Sequence, residues 1–381
     1  MNTPDTLSFW ERDRFFSDID ITIIGSGIVG LSAALSLREK FPAAHILIVE
    51  RGALPEGAST RNAGFACFGS ISELLEDLKT HSEEDLLKLV ELRYRGLKLL
   101  RKRVGDAQMD YVTTGGYEIF KPDKKFFFQE CADKMSYFNH LLAPIIGKKN
   151  IFRLVDNQFG LQNISPKIIY NTVEGQIDTG KMIHRLLYLA QTKKIQQLNG
   201  LNISKIHDDN QKVTLTTSNG WSFQSRQVIV ATNGFARHLL PQLHVEPKRN
   251  QVLMTMPIPN LKVKGCFHYN KGYFYFRNVG NRILIGGGRH LDPEAEATDS
   301  FGATSIIQNK LLSLLTEIVL PKQTFTISDT WSGILGVGNE KKPIIQKISP
   351  NVVVGVRMAG MGVAIGSAVG QSIATLMKEE F

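Results

Sequence analysis

Residues 21–50 read ITIIGSGIVGLSAALSLREKFPAAHILIVE. An apolar run leads into three glycines, then an amphipathic stretch, a second apolar run and an acid. That order predicts a β-α-β unit built to hold a dinucleotide. Gly25 lets the chain turn tightly out of the first strand, Gly27 lets backbone approach a pyrophosphate, and Gly30 lets the helix pack close to the sheet. Ser26, Ile28 and Val29 fill the same turn. The helix that follows points unpaired N–H groups and the positive end of its dipole at the phosphates. Glu50, twenty residues after Gly30, is placed to accept hydrogen bonds from ribose hydroxyls, and Arg51 follows it. A carboxylate there repels a 2′-phosphate, so NADP is disfavoured while FAD and NAD both fit.

The chain has 381 residues, 43% of them hydrophobic and 21% charged. That is room for two sizeable domains and an ordinary balance for a globular enzyme. The opening MNTPDTLSFWERDRFF places acids and arginines where a signal peptide needs an apolar core, which predicts a cytoplasmic protein. The three cysteines, Cys67, Cys131 and Cys266, are too scattered for a disulfide framework or a CxxC metal site, and no metal is expected. Met358 to Met377 is uncharged and about the length of a membrane span. Its glycines at 362, 366 and 370 instead predict a helix whose backbone is closely approached, not a membrane span. The net charge of +9 raises nucleic acid as a partner. The basic residues are dispersed in short pairs without stacking aromatics, which disfavours it.

Along the chain, Gly57 to Ser70 is a small-residue loop of the kind that carries function. Helical spacing of apolar residues predicts helices over Ile71 to Leu78 and Glu83 to Val104. A strand is expected within Tyr111 to Phe120 and a helix around Phe126 to Phe128. From Asp178 the pattern predicts a helix to Lys193, strands at 201–206 and 212–217, a turn at Asn219-Gly220 and one strand from Ser222 to Ala231. Strands at 251–256, 273–276 and 282–286, a helix near 304–316 and a strand near 325–329 then read as a mixed α+β insertion.

Taken together, these pieces resemble the D-amino-acid oxidase-like family of FAD-dependent amine and amino-acid oxidoreductases, across nearly the whole chain. The resemblance rests on GSGIVG with Glu50, STRNAG at Ser59 to Gly64, ATNG at Ala231 to Gly234, WSG at Trp331 to Gly333 and AGMG at Ala359 to Gly362. It implies an α/β fold: a Rossmann-like FAD-binding domain of the glutathione-reductase type with an inserted α+β substrate domain on a mixed, largely antiparallel sheet. The expected boundaries are 17–84, 165–245 and 322–381 for the first and 85–164 with 246–321 for the second. Within the family the pyrophosphate would lie at Gly25 to Gly30, and Ile203 would hold the adenine by its main chain. Ser59, Thr60, Arg61, Asn62, Ala63 and Gly64 would meet the ribityl and isoalloxazine region, with Ala231, Thr232, Gly234 and Gly333 nearby. Gly360, Met361, Gly362, Val363 and Ala364 would start the last helix at the flavin's pyrimidine edge, where a helix N-terminus stabilises the negative charge of the reduced ring.

Some members attach FAD through a cysteine after the strand near Trp331. WSGILGVGNEKKP holds none, so noncovalent FAD is expected. Members that oxidise simple amino acids often carry an arginine two residues after the WxG glycine. Leu335 stands there, and RNAG with Tyr275 to Arg277 looks more like the gamma-glutamylputrescine oxidase branch. The lysine that speeds oxygen reduction in sarcosine oxidases is absent from ILIGGGRH at 283–290, so oxygen and another electron acceptor both stay open.

The expected reaction is oxidation of a C–N bond in a small amine or amino acid by hydride transfer to flavin N5, giving an imine that hydrolyses. Arg357, Tyr275, Arg277 and Trp331 are the candidate catalytic residues, with Arg289 also flanking the pocket. Arg357 is the most suggestive, being a charge within VVVGVRMAG. His290 is a weaker candidate base. Two other readings stand beside this one: a tRNA-uridine side-chain oxidoreductase, which tRNA binding at moderate salt would favour, and a non-catalytic FAD-binding protein, whose flavin would stay oxidised with every amine. The oligomeric state is open, a homo-oligomer included.

Overall fold

The computed structural model describes residues 7–378. Residues 1–6, the opening of the stretch read as lacking a signal peptide, and 379–381, the end of the last expected segment, lie outside it. Ile21–Ile24 and Ile46–Glu50 run parallel with Ile21 opposite Ile46, and every residue of both is buried. They sit in a six-stranded sheet ordered Ile344–Ser349, Val352–Val356, Gln227–Val230, Ile21–Ile24, Ile46–Glu50, Gln196–Asn199. Only the edge pair Ile344–Ser349 and Val352–Val356 is antiparallel. Strands buried on both faces need continuous apolar runs, and QVIV and VVVGV supply them.

The helix after the glycine turn, Ile28–Lys40, departs from the amphipathic expectation, for every residue from Ile28 to Leu37 is buried. The sheet covers one side, and helices Thr179–Thr192 and Gly362–Thr375 cover others. The C-terminal helix packs at backbone contact. A Cβ at Gly370 would sit 2.6 Å from Val29 O, and one at Gly366 would sit 2.8 Å from Ile28 Cγ2. The uncharged C-terminal run is therefore a core helix, and among the described residues no helix is long and apolar enough to cross a membrane.

The single strand expected over Ser222 to Ala231 is two. Ser222–Ser225 pairs antiparallel with Val213–Thr217, which pairs in turn with Ile203–Asp208 in a separate three-stranded sheet. Gln227–Val230 enters the parallel sheet. The polar half suits a half-exposed sheet and the apolar half a buried one, so the chain changes sheets at Arg226.

An eight-stranded sheet is ordered Ile327–Val337, Glu246–Thr255, Arg282–Gly287, Phe274–Val279, Cys266–Tyr269, Gly116–Ile119, Lys167–Asn171, Phe152–Asp156. Its only parallel pair joins Cys266–Tyr269 to Gly116–Ile119. Pairing and packing run across three of the expected boundaries. Lys167–Asn171, assigned to the nucleotide side, pairs with Gly116–Ile119 and Phe152–Asp156. Ile327–Val337, likewise assigned, lies along Glu246–Thr255 from Val337 opposite Glu246 to Ile327 opposite Thr255. Helix Glu83–Val104, given to the inserted part, puts Leu97, Leu100 and Val104 into the core that holds Ile28 and Val363. There a Cβ at Gly96 would overlap Ala364 O. Backbone pairing decides the first two and helix packing the third, and neither is a local property of the segments concerned.

Candidate active site

The glycine turn is held as the sequence predicts, with one refinement. Gly25 adopts φ +104°, where a Cβ would lie 2.9 Å from Ala231 O. A Cβ at Gly30 would overlap Gly25 O. Ser26 faces inward, its N and Oγ donating to Glu50 Oε2 at 3.0 and 2.8 Å, while Gly52 N donates to Oε1 at 3.2 Å. These three bonds fix a carboxylate that is only 7% exposed. Oε2 already accepts two bonds, while Oε1, which accepts one, keeps capacity for a hydroxyl.

A cavity of about 400 Å³ runs along this turn. It is lined by Ile203, by Gly25, Gly27, Ile28, Val29, Glu50 and Arg51, by Ser59, Asn62, Gly360, Gly362 and Val363, and by Ala231 and Thr232. A second cavity of about 520 Å³ adjoins it, lined by Arg61, Ala63, Tyr275, Gly333, Met361 and Ala364. The two share Ala58, Asn62, Leu335, Met358, Ala359, Gly360 and Val363.

The residues of the first cavity fit an elongated dinucleotide. A Cβ at Gly27 would stand 2.8 Å from Ser59 Oγ, so backbone is bare where a pyrophosphate would press. Helix Gly362–Thr375 begins at the junction of the cavities with no side chain capping its first turn, leaving N–H groups for an anion. Thr232 Oγ1 is buried without a hydrogen-bond partner, an orphan that a bound polar group would satisfy.

The second cavity is strongly charged. Helix Ile71–Leu78 contributes Glu73, Glu76 and Asp77. Lys271 pairs with Glu76 at 2.8 Å, and Lys341 and buried Arg93 both pair with Asp77. Arg289 differs: it lies 5.8 Å from the centre of the Tyr273 ring, and no carboxylate among the described residues pairs with it. Tyr275 OH accepts from Asn250 Nδ2 at 2.7 Å. Burial pushes the Tyr275 pKa up to about 12, although Arg289 and Asn250 pull it down. It stays protonated, with its hydrogen free to donate. Burial by itself would lower the His268 pKa, but Glu174 at 3.1 Å and Glu73 raise it to about 10.

A model of the FAD dependent oxidoreductase family, DAO, matches residues 20–376. The chain belongs to that family. It is accordingly an FAD-dependent oxidoreductase. It is 21% identical to the probable oxidoreductase OrdL of Haemophilus influenzae, over 93% of this chain and 82% of that protein. Glycine oxidase from Geobacillus kaustophilus shares the fold at TM-score 0.74 and 19% identity, covering 95% of this chain and 96% of that one. L-proline dehydrogenase from P. horikoshii does so at 0.73 and 17%, covering 94% and 93%.

Of the four candidate catalytic residues of this FAD-dependent oxidoreductase, Tyr275 alone lines either of these two cavities. Arg357 turns away: its Nε donates to Lys342 O at 2.9 Å and its Nη2 lies 3.8 Å from Glu340, so it fastens the loop after Val337. Arg277 is buried under the STRNAG loop, donating to Ala63 O and Ile177 O. Trp331 Nε1 donates to Arg61 O at 3.0 Å. Among the candidate cofactor residues, Thr60 bonds back to Pro55 O and Gly57 O. Gly64 packs against Arg277 and Gly234 against Leu335. His290 lies against the Tyr273 and Phe274 rings.

The sequence reading passed over Asn233, Asn250, His268 and Lys271. Asn233 was within reach, since it stands inside ATNG. Its Oδ1 accepts from Arg357 N and Met358 N at 3.1 and 3.0 Å and so pins the strand exit to the cavity. Nothing local marked the others.

Proposed function

We propose that this chain oxidises a C–N bond of a small amine or amino acid, with noncovalently held FAD in a glutathione-reductase-type dinucleotide fold. The observation that carries this reading is the junction of the two cavities at Met358, Ala359, Gly360 and Val363. A dinucleotide extending from Ile203 past Gly27 would bring its ring there, facing the charged cavity. Bound FAD would supply the acceptor for the two electrons and the hydride that leave the substrate carbon.

The chain's own residues bind and orient. Arg289, lacking a carboxylate partner, is suited to an anionic group on the substrate. Tyr275 would donate its hydroxyl hydrogen to the same group. Asn250 Oδ1, buried and without a hydrogen-bond partner, is the acceptor offered to an amine N–H. Phe65 meets Tyr275 edge-on at 5.3 Å, giving an apolar wall that excludes water from the reacting carbon. The N-terminal N–H groups of Gly362–Thr375 would steady negative charge on the acceptor. Names among the similar proteins, glycine oxidase, proline dehydrogenase and iminodiacetate oxidase, support a substrate that joins nitrogen to a carboxylate. Three buried free thiols suit the cytoplasm.

The test is anaerobic. The flavoprotein is mixed with amines, N-methyl amino acids and D- and L-amino acids, and the visible flavin band is followed. At least one carboxylate-bearing amine should bleach it, and Arg289→Met should raise the KM for that compound more than it lowers kcat. Flavin that stays oxidised with the whole panel would overturn the reading.

A further inference from the structure

Beside the substrate cavity, residues far apart in sequence converge on one point. Cys67 follows strand Phe65–Ala66, which pairs with Gly175–Gln176 and so sets Cys67 against Glu174. Cys266 and His268 alternate along strand Cys266–Tyr269 and share a face. One ligand atom from each of Cys67, Glu174 and His268 lies within 4.8 Å of the others, and all three residues are buried. Cys266 itself is wholly buried, its Sγ directed at Gly175 O 3.3 Å away.

We propose that Cys67, Glu174 and His268 hold a Zn²⁺ ion in the wall of the larger cavity, with a fourth position open to water. A sulfur, an imidazole and a carboxylate make a donor set that suits zinc and disfavours the oxygen-seeking Mg²⁺ and Ca²⁺. Zinc bonds of about 2.0–2.3 Å in a tetrahedron place ligand atoms roughly 3.3–3.8 Å apart. His268 Nε2 and Glu174 Oε2 already stand 3.1 Å apart, and the ion would take the place of the proton between them.

The surroundings orient these ligands. Glu174 Oε1 accepts from Phe68 N and Gly69 N, each at 3.2 Å, which leaves Oε2 to coordinate. His268 Nδ1 faces Glu73 Oε2 at 3.8 Å, the carboxylate–histidine arrangement that raises the basicity of a metal-bound imidazole. Gly116 is needed there, because a Cβ would overlap Glu174 Oε2. Cys67, His268 and Glu73 line the larger cavity, so an ion has an entry path. Cys67 follows the short two-stranded pair and His268 lies on the eight-stranded sheet, so the ion would tie the segment after Ala66 to that sheet.

The test uses the full chain with its flavin, reduced and freed of metal, and does not depend on any substrate. Titration with Zn²⁺ against a chromophoric chelator should show a single ion per chain and a higher Tm. Co²⁺ in its place should give the near-ultraviolet charge-transfer band of thiolate coordination. Cys67→Ser and His268→Gln should each weaken binding by about 100-fold or more, whereas Cys131→Ser, a buried cysteine elsewhere, should not. Should a variant fail to fold, the cobalt spectrum of the unaltered chain decides. No stoichiometric uptake by reduced protein, cobalt without a thiolate band, or uptake that survives both Cys67→Ser and His268→Gln would overturn the proposal.

Discussion

Two glycines three residues apart do different work, and substitution should separate them. At Gly30 a Cβ would collide with the backbone oxygen of Gly25, so the helix must move off the strand. At Gly27 it would meet only Ser59 Oγ at 2.8 Å, a hydroxyl that can rotate. Gly27→Ala should therefore fold yet hold FAD about tenfold more weakly, or roughly 1.4 kcal/mol, read by flavin retained through gel filtration. Gly30→Ala should lower the unfolding midpoint itself; equal midpoints for the two variants would contradict this account. Arg277 makes a second residue-scale case. Its guanidinium, 6% exposed, holds Ala63 O and Ile177 O from beneath, and lysine cannot reproduce that fork. Arg277→Lys should cost about 2–3 kcal/mol in urea unfolding. Arg357, by contrast, holds the loop after Val337, so its loss should disturb the cavity mouth more than the chemistry.

Between elements, Asp208 joins the three-stranded sheet to the edge of the parallel one. Its carboxylate accepts from Ser349 Oγ at 2.5 Å, Asn351 N at 2.9 Å and Asn351 Nδ2 at 2.9 Å. Burial would raise its pKa, but the hydrogen bonds from Ser349 and Asn351 outweigh burial and hold the carboxyl below its ordinary value. A carboxyl depressed by folding adds stability above its unfolded pKa of about 3.9, and that stability is lost as the pH falls from there through the folded value. Asp208→Asn should then cost about 1 kcal/mol at neutral pH and flatten the decline of Tm below about pH 4. An unchanged acid limb would show that the link carries no stability. The helix trio of Ile28–Lys40, Glu83–Val104 and Gly362–Thr375 couples the elements more rigidly, since glycines bring the backbones into contact.

For the whole molecule, the elongated cavity links chain segments far apart in sequence, from Ile24 to Val363. A ligand seated there binds the folded state alone. FAD at about a thousand times its Kd should add about 4 kcal/mol and raise the Tm of the apoprotein by several degrees in a thermal scan. NADP should not, because the Glu50 carboxylate lining that cavity would repel a 2′-phosphate. Equal shifts from both nucleotides would argue against that placement of the ribose.

The run from Ile21 to Glu50 determined its own fold and the place of the glycines, because strand, turn and helix there are local and their chemistry is contiguous. The helices at 71–78 and 83–104 were equally legible from apolar spacing. Which sheet a strand joins was not: Ser222 to Ala231 divides between two sheets, and Ile327–Val337 finds its partner some eighty residues earlier. A strand exposes the same backbone groups to any neighbour, so partner and register come from the assembled surfaces. The same holds for the site. Arg357, Arg277 and Trp331 were placed near the cavity by position along the chain, yet only the packed molecule fixed where their side chains turn. Cys67, Glu174 and His268 carry no common spacing; they meet because two strand pairings fold their segments onto one wall, and proximity of that kind is a property of tertiary structure alone.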